Sequence, residues 1–423
     1  MKIARRRLIQ GGAAAAAALL PLPFLFRRPQ PAAAGRLRPD PEGLLDLADG
    51  LSYSVLEQQF APMSDGYQVP ALPDGMACFP GPGGTLVLMR NHEISLPAML
   101  GPYRRGQVPP EEAYDPGSFG GVTRLVVQAT TLERVSSNLV LTGTQRNCSG
   151  GPSPWGWLSC EESTRSGHGY VFLCPTDAER VQPPRRIVGY GRFNHEAVAI
   201  DPRTNVAYLT EDRGDSCLYR FVPHSPADPF TGKLQALAAT GTPRLNTGSM
   251  TASASVAAHW VDVDDPDPED DVVRRQAQQR GALLVCRGEG ICFHGGSIYV
   301  CSTSGGRANA GQVLQVTLEP GQERLSVLTE ADARNGLDGP DNITPTPWGD
   351  LVVAEDGDGD QYLRGIRPDG SVYEIARNAR SSGELCGVCL SPDGDALFVN
   401  LQREGLTLAI RGPLREIGAA ASS

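Results

Sequence analysis

One short phrase recurs six times along this chain, and it limits the possible folds more than any other feature. Each copy is an apolar, strand-like run that ends in polar or acidic residues, and another apolar run with a turn signal precedes it. The six copies are TLVLMRNHE (85–93), WGWLSCEE (155–162), VAYLTED (206–212), SIYVCSTSGG (297–306), DLVVAEDGD (350–358) and ALFVNLQREG (396–405). Six strand–turn–strand units predict the inner hairpins of an all-β, six-bladed β-propeller. An all-β sandwich with acidic residues scattered over its surface loops is the alternative.

A polar residue opens the first apolar run of each unit. These residues are Asp74, Cys148, Glu196, Glu289, Asp341 and Glu384. The innermost strand of a propeller blade runs beside the central channel, so we expect its opening residue to face the axis. Side chains that are far apart in the sequence would then meet at one site.

The expected site is rich in oxygen ligands. Its members are Asn91, Glu93, Glu161, Glu162, Glu196, Glu211, Asp212, Glu289, Asp341, Asn342, Glu355 and Asp356. Carboxylates and amides with few histidines suit Ca²⁺ or Mg²⁺ better than Zn²⁺. A formal net charge of −10 suits a protein that binds cations and argues against nucleic acid as a partner. His92 and His195 each directly precede a glutamate, and adjacent side chains of an extended segment point to opposite sides, so we expect core or supporting roles for them.

Cys148 is the one thiol among these oxygen ligands. A thiolate in such a set indicates a transition metal, with iron the first candidate, while a disulfide and a buried thiol stay open as alternatives. Gly150 and Gly151 follow it and would let the backbone pass close to a metal cluster. Ten cysteines in an exported chain could form disulfides, and they show no paired zinc-binding pattern.

Arg287 lies two residues before Glu289, and residues with this spacing face the same side of a strand. If Glu289 holds a metal ion, Arg287 points into the same cavity and can offer a forked guanidinium to an anion. An ordinary salt bridge is the alternative for this arginine. An arginine beside metal ions indicates a phosphate or carboxylate substrate.

The N-terminus has the features of an export signal. Arg5-Arg6-Arg7-Leu8-Ile9 precedes an apolar run from Gly11 to Phe26, which is short for a membrane span, and Ala32 to Ala34 offer a cleavage site. We predict a twin-arginine signal peptide over residues 1–34; an ordinary secretory signal or an uncleaved anchor are the alternatives. Residues 35–423 then form one propeller domain, with an insertion at about 225–285 that contains the acidic run DVDDPDPEDD (262–271).

Several phrases together resemble the PhoX-type alkaline phosphatases. They are NCSGG with PSPWGWLSCEE, GRFNHEAVAIDP with YLTED, RGEG, DGPDN and VAEDG, in the order of that family and over about residues 75–412. The resemblance implies a β-propeller, twin-arginine export, and a phosphatase site with Fe³⁺, Ca²⁺ and a bridging oxygen. One departure is Arg403-Glu404 in the last unit, where the family would have a His-Pro pair.

The resemblance also assigns roles to single residues. Cys148 would be the iron-binding thiolate, Glu196 and Glu289 would be catalytic, metal-bridging carboxylates, and Arg287 would be a catalytic, phosphate-binding arginine. Asn91 would bind substrate, and the further metal ligands would be Glu93, Asp341 and Glu355.

These expectations combine into one function. The chain would be a periplasmic, metal-dependent alkaline phosphatase that serves phosphate acquisition, hydrolyses small phosphomonoesters and uses metal-bound oxygen as its nucleophile. Its partners would be phosphorylated substrates and the twin-arginine export machinery; we expect a monomer with no nucleic acid and no stable membrane insertion after cleavage. The alternatives are a calcium-dependent propeller hydrolase of the lactonase or phosphodiesterase type, and a binding propeller without catalysis.

Overall fold

The computed structural model describes residues 37–95 and 98–420 of the chain. The predicted signal peptide, residues 1–34, lies outside the described residues. Within the described part, neither helix has the length and apolar character that a membrane-crossing segment needs.

The described residues fold almost entirely into short strands. In chain order these are β1 (Leu45–Leu47), β2 (Ser52–Gln58), β3 (Pro73–Pro80), β4 (Thr85–His92), β5 (Gly120–Gln128), β6 (Arg134–Thr144), β7 (Asn147–Ser153), β8 (Gly156–Glu161), β9 (Val171–Cys174), β10 (Arg186–Ile187), β11 (His195–Ile200), β12 (Ala207–Glu211), β13 (Tyr219–Ser225), β14 (Asp228–Ala239), β15 (Ser255–Asp262), β16 (Gly288–His294), β17 (Ser297–Ser302), β18 (Gln312–Thr317), β19 (Arg324–Glu330), β20 (Pro340–Pro345), β21 (Leu351–Glu355), β22 (Tyr362–Ile366), β23 (Val372–Asn378), β24 (Leu385–Leu390), β25 (Ala396–Leu401) and β26 (Leu406–Arg411). Two short helices, α1 (Val273–Gln279) and α2 (Leu414–Ala420), complete the regular structure together with four 3₁₀ turns, Pro82–Gly84, Ala98–Leu100, Val188–Tyr190 and Thr247–Ser249.

The strands form five antiparallel sheets. Their orders are β3-β4-β5-β6, β10-β9-β8-β7, β11-β12-β13-β14-β15-β19-β18-β17-β16, β1-β23-β22-β21-β20 and β2-β26-β25-β24. In the nine-stranded sheet, β15 pairs with β14 on one side and β19 on the other, and so joins two meanders, β11–β14 and β16–β19. All six recurring phrases of the sequence are strands, namely β4, β8, β12, β17, β21 and β25. The prediction of an all-β, propeller-like architecture is confirmed.

A ring of inner strands surrounds the centre of the molecule. Strands β3, β7, β11, β16, β20 and β24 contact one another in this order, and β24 contacts β3 again. All six line a central cavity of about 440 Å³. Close backbone contact between the strands requires glycine: a Cβ atom on Gly151 of β7 would lie 1.7 Å from the carbonyl oxygen of Val198 in β11. Gly151 therefore permits the approach of two inner strands rather than the approach to a metal cluster that the sequence suggested.

Segments from both ends of the described chain close this ring. Strand β2 pairs with β26, and β1 pairs with β23, so each N-terminal strand completes a sheet that is otherwise built from the C-terminal part of the chain. Hydrophobic side chains fill the spaces between neighbouring sheets, for example Leu88 and Phe398, which share one buried cluster. The ends of the inner strands are thereby fixed around the channel, and the candidate site lies there.

The segment that the sequence marks as an insertion, residues 225–285, contains β14, β15 and α1. Most of its acidic run lies in the loop between β15 and α1. Arg192 binds this loop: its backbone N–H donates to the carbonyl oxygen of Pro266 at 2.8 Å, and its guanidinium donates to that of Glu269 at 2.7 Å. The backbone of the loop is therefore held against the strands, while most of its acidic side chains are exposed to solvent.

Candidate metal centre

Every inner strand has a β-bulge near its N-terminal end. The register of each inner strand against the second strand of its unit shifts at the same level. The bulges contain Asp74, Cys148, Glu196, Glu289, Asp341 and Gly387. A bulge breaks the regular alternation and redirects a side chain. Five of the six predicted opening residues are thus bulge residues. The bulge of β24 instead contains Gly387. The sixth predicted opening residue, Glu384, directly precedes β24, and burial together with the nearby charges of Asp74 and Asp341 raises its pKa well above the ordinary glutamate value.

Three side chains with metal-binding atoms meet at this level. The Sγ atom of Cys148 and one carboxylate oxygen each of Glu162 and Glu196 lie within 4.8 Å of one another, and all three residues are buried. Three further acids lie near this group. The charges of Asp341 and Asp74 act on Glu196, and the charge of Glu196 acts on Glu289. The inner strands therefore bring together Cys148, Glu196, Glu289 and Asp341 as the sequence predicts.

The electrostatics of this group favour bound cations. Burial, reinforced by the neighbouring carboxylates, raises the pKa of Glu196 and Glu289 well above the ordinary glutamate value. Burial and nearby Glu196 and Glu162 likewise raise the pKa of the Cys148 thiol. Metal ions would offset this repulsion and favour the ionised forms. The donor set, one thiol among several buried carboxyl groups, fits a metal centre with a mixed sulfur and oxygen shell.

Arg287 lies at the rim of the cluster. Its Nε donates to Oδ1 of Asp212 at 2.9 Å, and its Nη2 donates to Oε1 of Glu289 at 2.5 Å. Although burial opposes it, the charge of Glu289 together with Asp212 raises the pKa of the guanidinium. Arg287 precedes β16 and has a φ of 53°. It reaches the side of Glu289 through a left-handed backbone rather than through the strand alternation that the sequence suggested.

Adjacent acidic residues at the ends of the second strands divide into two roles. The pairs are Glu161-Glu162, Glu211-Asp212 and Glu355-Asp356. The first member of each pair contacts its own part of the sheet: Glu161 contacts His168 Nδ1 at 2.7 Å, Glu211 accepts from Tyr219 Oη at 2.8 Å, and Glu355 accepts from Arg364 Nε at 2.6 Å. The second member lies on the side of the cluster: Glu162 belongs to it, and Asp212 accepts from Arg287 Nε. Alternation along an extended chain separates the two members.

Two predicted site residues are therefore corrected. Glu355 is buried against Arg364 and the backbone N–H of Asp338, and Asp356 lies nearer the cluster, where the charges of Arg287, Glu93 and Asp212 act on it. Asn91 does not face the channel either. Its Nδ2 donates to the carbonyl oxygens of Cys148 and Ser149, and its Oδ1 accepts from Trp157 Nε1 at 2.7 Å. Its hydrogen-bonding groups are thus used to support the Cys148 bulge rather than to bind substrate.

Both histidines of the Asn-His-Glu triplets lie in the core. His92 contacts Thr123 Oγ1 at 2.9 Å and the carbonyl oxygen of Ala71 at 3.0 Å. His195 stacks on Phe193 with ring centroids 3.6 Å apart, and burial lowers its pKa to about 3. All ten cysteines lie within the described residues, and each is free.

The chain matches a known protein family over most of its length. A model of the family alkaline phosphatase PhoX matches residues 33–138 and 131–405, which together make up most of the chain. The chain belongs to the PhoX alkaline phosphatase family. Membership of the PhoX family makes it a phosphoric monoester hydrolase.

Solved structures with a similar fold include a member of the same family. Pseudomonas fluorescens PhoX, solved in complex with vanadate, a transition state analogue, has a TM-score of 0.71 and 18% identity, and covers 90% of this chain and 97% of its own. A gluconolactonase from Xanthomonas campestris has a TM-score of 0.45 and 12% identity over 90% of this chain and 99% of its own. No curated protein sequence matches the chain.

Sequence reasoning missed four contacts, made by Gln402 and Arg146, at the partly exposed edge, or mouth, of the cluster. Asp74 and Glu93 both accept from Nε2 of Gln402, each at 3.1 Å. Arg146 forms ion pairs with Glu93 and Glu162. The sequence did contain a signal for it, since Arg146 precedes Cys148 by two residues just as Arg287 precedes Glu289.

The departure from the PhoX pattern, Arg403-Glu404, lies in the turn between β25 and β26. Glu404 accepts a hydrogen bond from Ser381 Oγ at 2.6 Å. Gln402, one residue before the departure, provides the contact with Asp74 and Glu93. The altered pair therefore directly follows Gln402, the residue that donates to Asp74 and Glu93.

The division of the Glu355-Asp356 pair can be tested in the PhoX phosphatase assay. We expect Asp356→Asn to lower turnover at least about tenfold, since charged groups around a metal centre affect its activity on this scale. Glu355→Gln should keep turnover near that of the unaltered protein but lower the urea midpoint, because it removes the charged partner of buried Arg364. Equal losses of turnover in the two variants, at equal folded fraction, would contradict the assignment.

Proposed function

We propose that this chain is an exported, metal-dependent alkaline phosphatase that releases phosphate from small phosphomonoesters. The observation that supports it most directly is the buried group of Cys148, Glu162 and Glu196 with Arg287 at its rim, in a chain of the PhoX family. The proposed scaffold is a six-bladed propeller, in which the two meanders joined by β15 count as separate blades.

The proposed metal ions are Fe³⁺ and Ca²⁺. Cys148 provides the soft ligand that favours iron, and Glu162, Glu196, Glu289 and Asp341 provide the hard oxygen ligands that suit both ions. Such ions, when bound, polarise the phosphoryl group, activate the attacking oxygen and offset transition-state charge.

The side chains of this chain would bind and orient the substrate. Arg287 is fixed by Asp212 and Glu289, so its guanidinium is held in place before a phosphoryl group arrives. In the similar Pseudomonas fluorescens PhoX the bound ligand is vanadate, a transition state analogue. A phosphoryl group of similar shape in this chain would lie between the cluster and Arg287.

Metal analysis combined with a hydrolysis assay tests the proposal. The purified protein should contain iron and calcium, hydrolyse p-nitrophenyl phosphate at alkaline pH, lose activity on chelation and regain it when both metals are restored. Bis(p-nitrophenyl) phosphate and a lactone, tested in parallel, separate this function from the diesterase and lactonase alternatives. Metal-replete protein without activity on any monoester would refute the proposal, and fully active protein without iron would refute the proposed iron.

The location also remains a proposal. The arginine run and the apolar segment after it support export by the twin-arginine route and a periplasmic or secreted protein. Cell fractionation should find the activity outside the cytoplasm. When Arg5 and Arg6 are replaced by lysine, the protein should stay in the cytoplasm.

A further inference from the structure

Two arginines at the mouth of the site share an unusual backbone conformation. Arg146 and Arg287 have φ values of 45° and 53°, and each lies two residues before a bulge residue of the cluster, Cys148 and Glu289 respectively. A left-handed backbone is costly for a residue with a side chain and persists where the surrounding structure enforces it, often at functional sites. The same conformation at equivalent places in two units suggests a shared role.

The contacts of the two guanidinium groups are also equivalent. Arg146 Nε donates to Glu93 Oε1 at 2.9 Å, and its Nη2 donates to Glu162. Arg287 in the same way binds Asp212 and Glu289. Each arginine therefore binds two acids. One lies directly after the second strand of the preceding unit, and the other belongs to the arginine's own unit.

The two arginines are connected across the mouth. Asn194 Nδ2 donates to Glu162 Oε1 at 2.8 Å and to the carbonyl oxygen of Asp212 at 3.0 Å, and these two acids bind Arg146 and Arg287 respectively. Both arginine side chains are partly open to solvent, with exposed fractions of 41% for Arg146 and 36% for Arg287. Among the described residues, neither Nη1 atom has a hydrogen-bond partner, so each fork keeps donors for a ligand.

We propose that Arg146 is a second phosphoryl-binding arginine, which closes on the anion from the side opposite Arg287. This inference rests on the proposed phosphatase function. A phosphate dianion that enters a site lined by carboxylates meets repulsion, and among the described residues only Arg146 and Arg287 form ion pairs with Glu93, Glu162, Asp212 and Glu289. Two guanidinium forks offer paired, charge-assisted hydrogen bonds to the oxygens of one phosphoryl group.

Binding of inorganic phosphate and vanadate tests this role directly. Arg146→Gln should raise the inhibition constant for both anions about tenfold or more, the scale of a lost charge-assisted hydrogen bond. Arg146→Lys keeps the charge that neutralises Glu93 and Glu162 but lacks the fork, and should give a smaller increase. Arg287→Gln is the positive control. Arg377→Gln is the matched negative control, because Arg377 has the same 36% exposure as Arg287 and pairs with two acids, Asp46 and Asp360.

Each outcome decides the question. Inhibition constants describe only molecules that are loaded with metal and active, and the metal content of every variant is measured beside them. Values for Arg146→Gln and Arg146→Lys within about twofold of the unaltered protein, while Arg287→Gln loses affinity, would overturn the inference. A purely structural Arg146 would lower the urea midpoint without changing these constants.

Calorimetric titration of metal-loaded protein with inorganic phosphate separates this inference from the proposed function, since it requires no turnover. If the unaltered protein binds phosphate but hydrolyses no monoester, the function fails, and weaker binding by Arg146→Gln still supports the role of Arg146. If phosphate binding is the same in both proteins, Arg146 has no such role even in an active phosphatase.

Discussion

Cys148→Ser is expected to reduce phosphatase turnover by roughly 100- to 1,000-fold and to lower the iron content in proportion. The thiol lies within 4.8 Å of carboxylate oxygens of Glu162 and Glu196 and is the one sulfur atom in that group. A serine hydroxyl occupies a similar volume but is a poor ligand at neutral pH, so the affinity for a transition metal falls by more than the 10- to 100-fold typical of indirect contacts. Elemental analysis and p-nitrophenyl phosphate hydrolysis measure the two effects.

Cys160→Ser is the matched control for this substitution. Cys160 lies in β8, next to Glu161, and is fully buried in a hydrophobic cluster. Burial and the nearby charge of Glu196 raise the pKa of its thiol, but Cys160 does not belong to the group of Cys148, Glu162 and Glu196. Serine at this position should lower the urea midpoint but leave the iron content of the folded protein unchanged. Unchanged iron and turnover in Cys148→Ser would refute the ligand role of Cys148, and an equal loss of iron in both variants would point to a general effect on folding.

The repeated phrase was sufficient to predict the strands and their convergence on one channel. Each phrase pairs an apolar run with a polar end, and this pattern depends only on local alternation and turn residues. The bulges could not be predicted in the same way. A bulge adds one residue to one strand of a pair, and its position depends on how two strands align in three dimensions. The sequence pattern therefore predicts Glu384 as the opening residue of its strand but does not predict the bulge at Gly387.

The acidic pairs show a related limit. Alternation predicts that Glu355 and Asp356 point to opposite sides, but it does not tell which of the two faces the channel. The orientation of each side chain depends on partners outside the pair. Arg364 in β22 donates to Glu355, and the charge of Arg287 acts on Asp356. The motif resemblance marked Glu355, whereas the contacts of Glu355 turn it towards Arg364 and the charges acting on Asp356 place Asp356 near the cluster.

Support for the cluster comes from residues whose roles the sequence did not reveal. Asn91 was predicted to bind substrate, but its side chain fixes the carbonyl oxygens of Cys148 and Ser149. Trp157 in turn donates to Asn91, so a tryptophan that the sequence places in the core also supports the bulge that contains Cys148. The ligand geometry thus depends on buried polar contacts between neighbouring sheets.

The second large expected effect concerns the closure of the ring. Arg90 in β4 and Glu57 in β2 form an ion pair of 2.7 Å, and each side chain is only 1% exposed. Arg90 also donates to Thr123 in β5 and to Thr407 in β26. One guanidinium therefore joins the sheet β3–β6 to the sheet in which β2 pairs with β26. We expect Arg90→Met to reduce the free energy of unfolding by about 3 kcal/mol or more, because removal of one partner leaves a buried carboxylate poorly compensated.

Arg134→Met provides the comparison for Arg90→Met, since Arg134 binds the other carboxylate oxygen of Glu57 at 2.9 Å. Its side chain is partly exposed, and solvent screens the interaction, so we expect a loss of about 1 kcal/mol or less. Urea denaturation at equal metal content measures both variants. A similar midpoint in the two would show that burial of the Arg90 pair does not govern stability. A large loss for Arg90→Met alone, accompanied by weaker metal retention, would show that closure of the ring between β2 and β26 holds the inner strands in position.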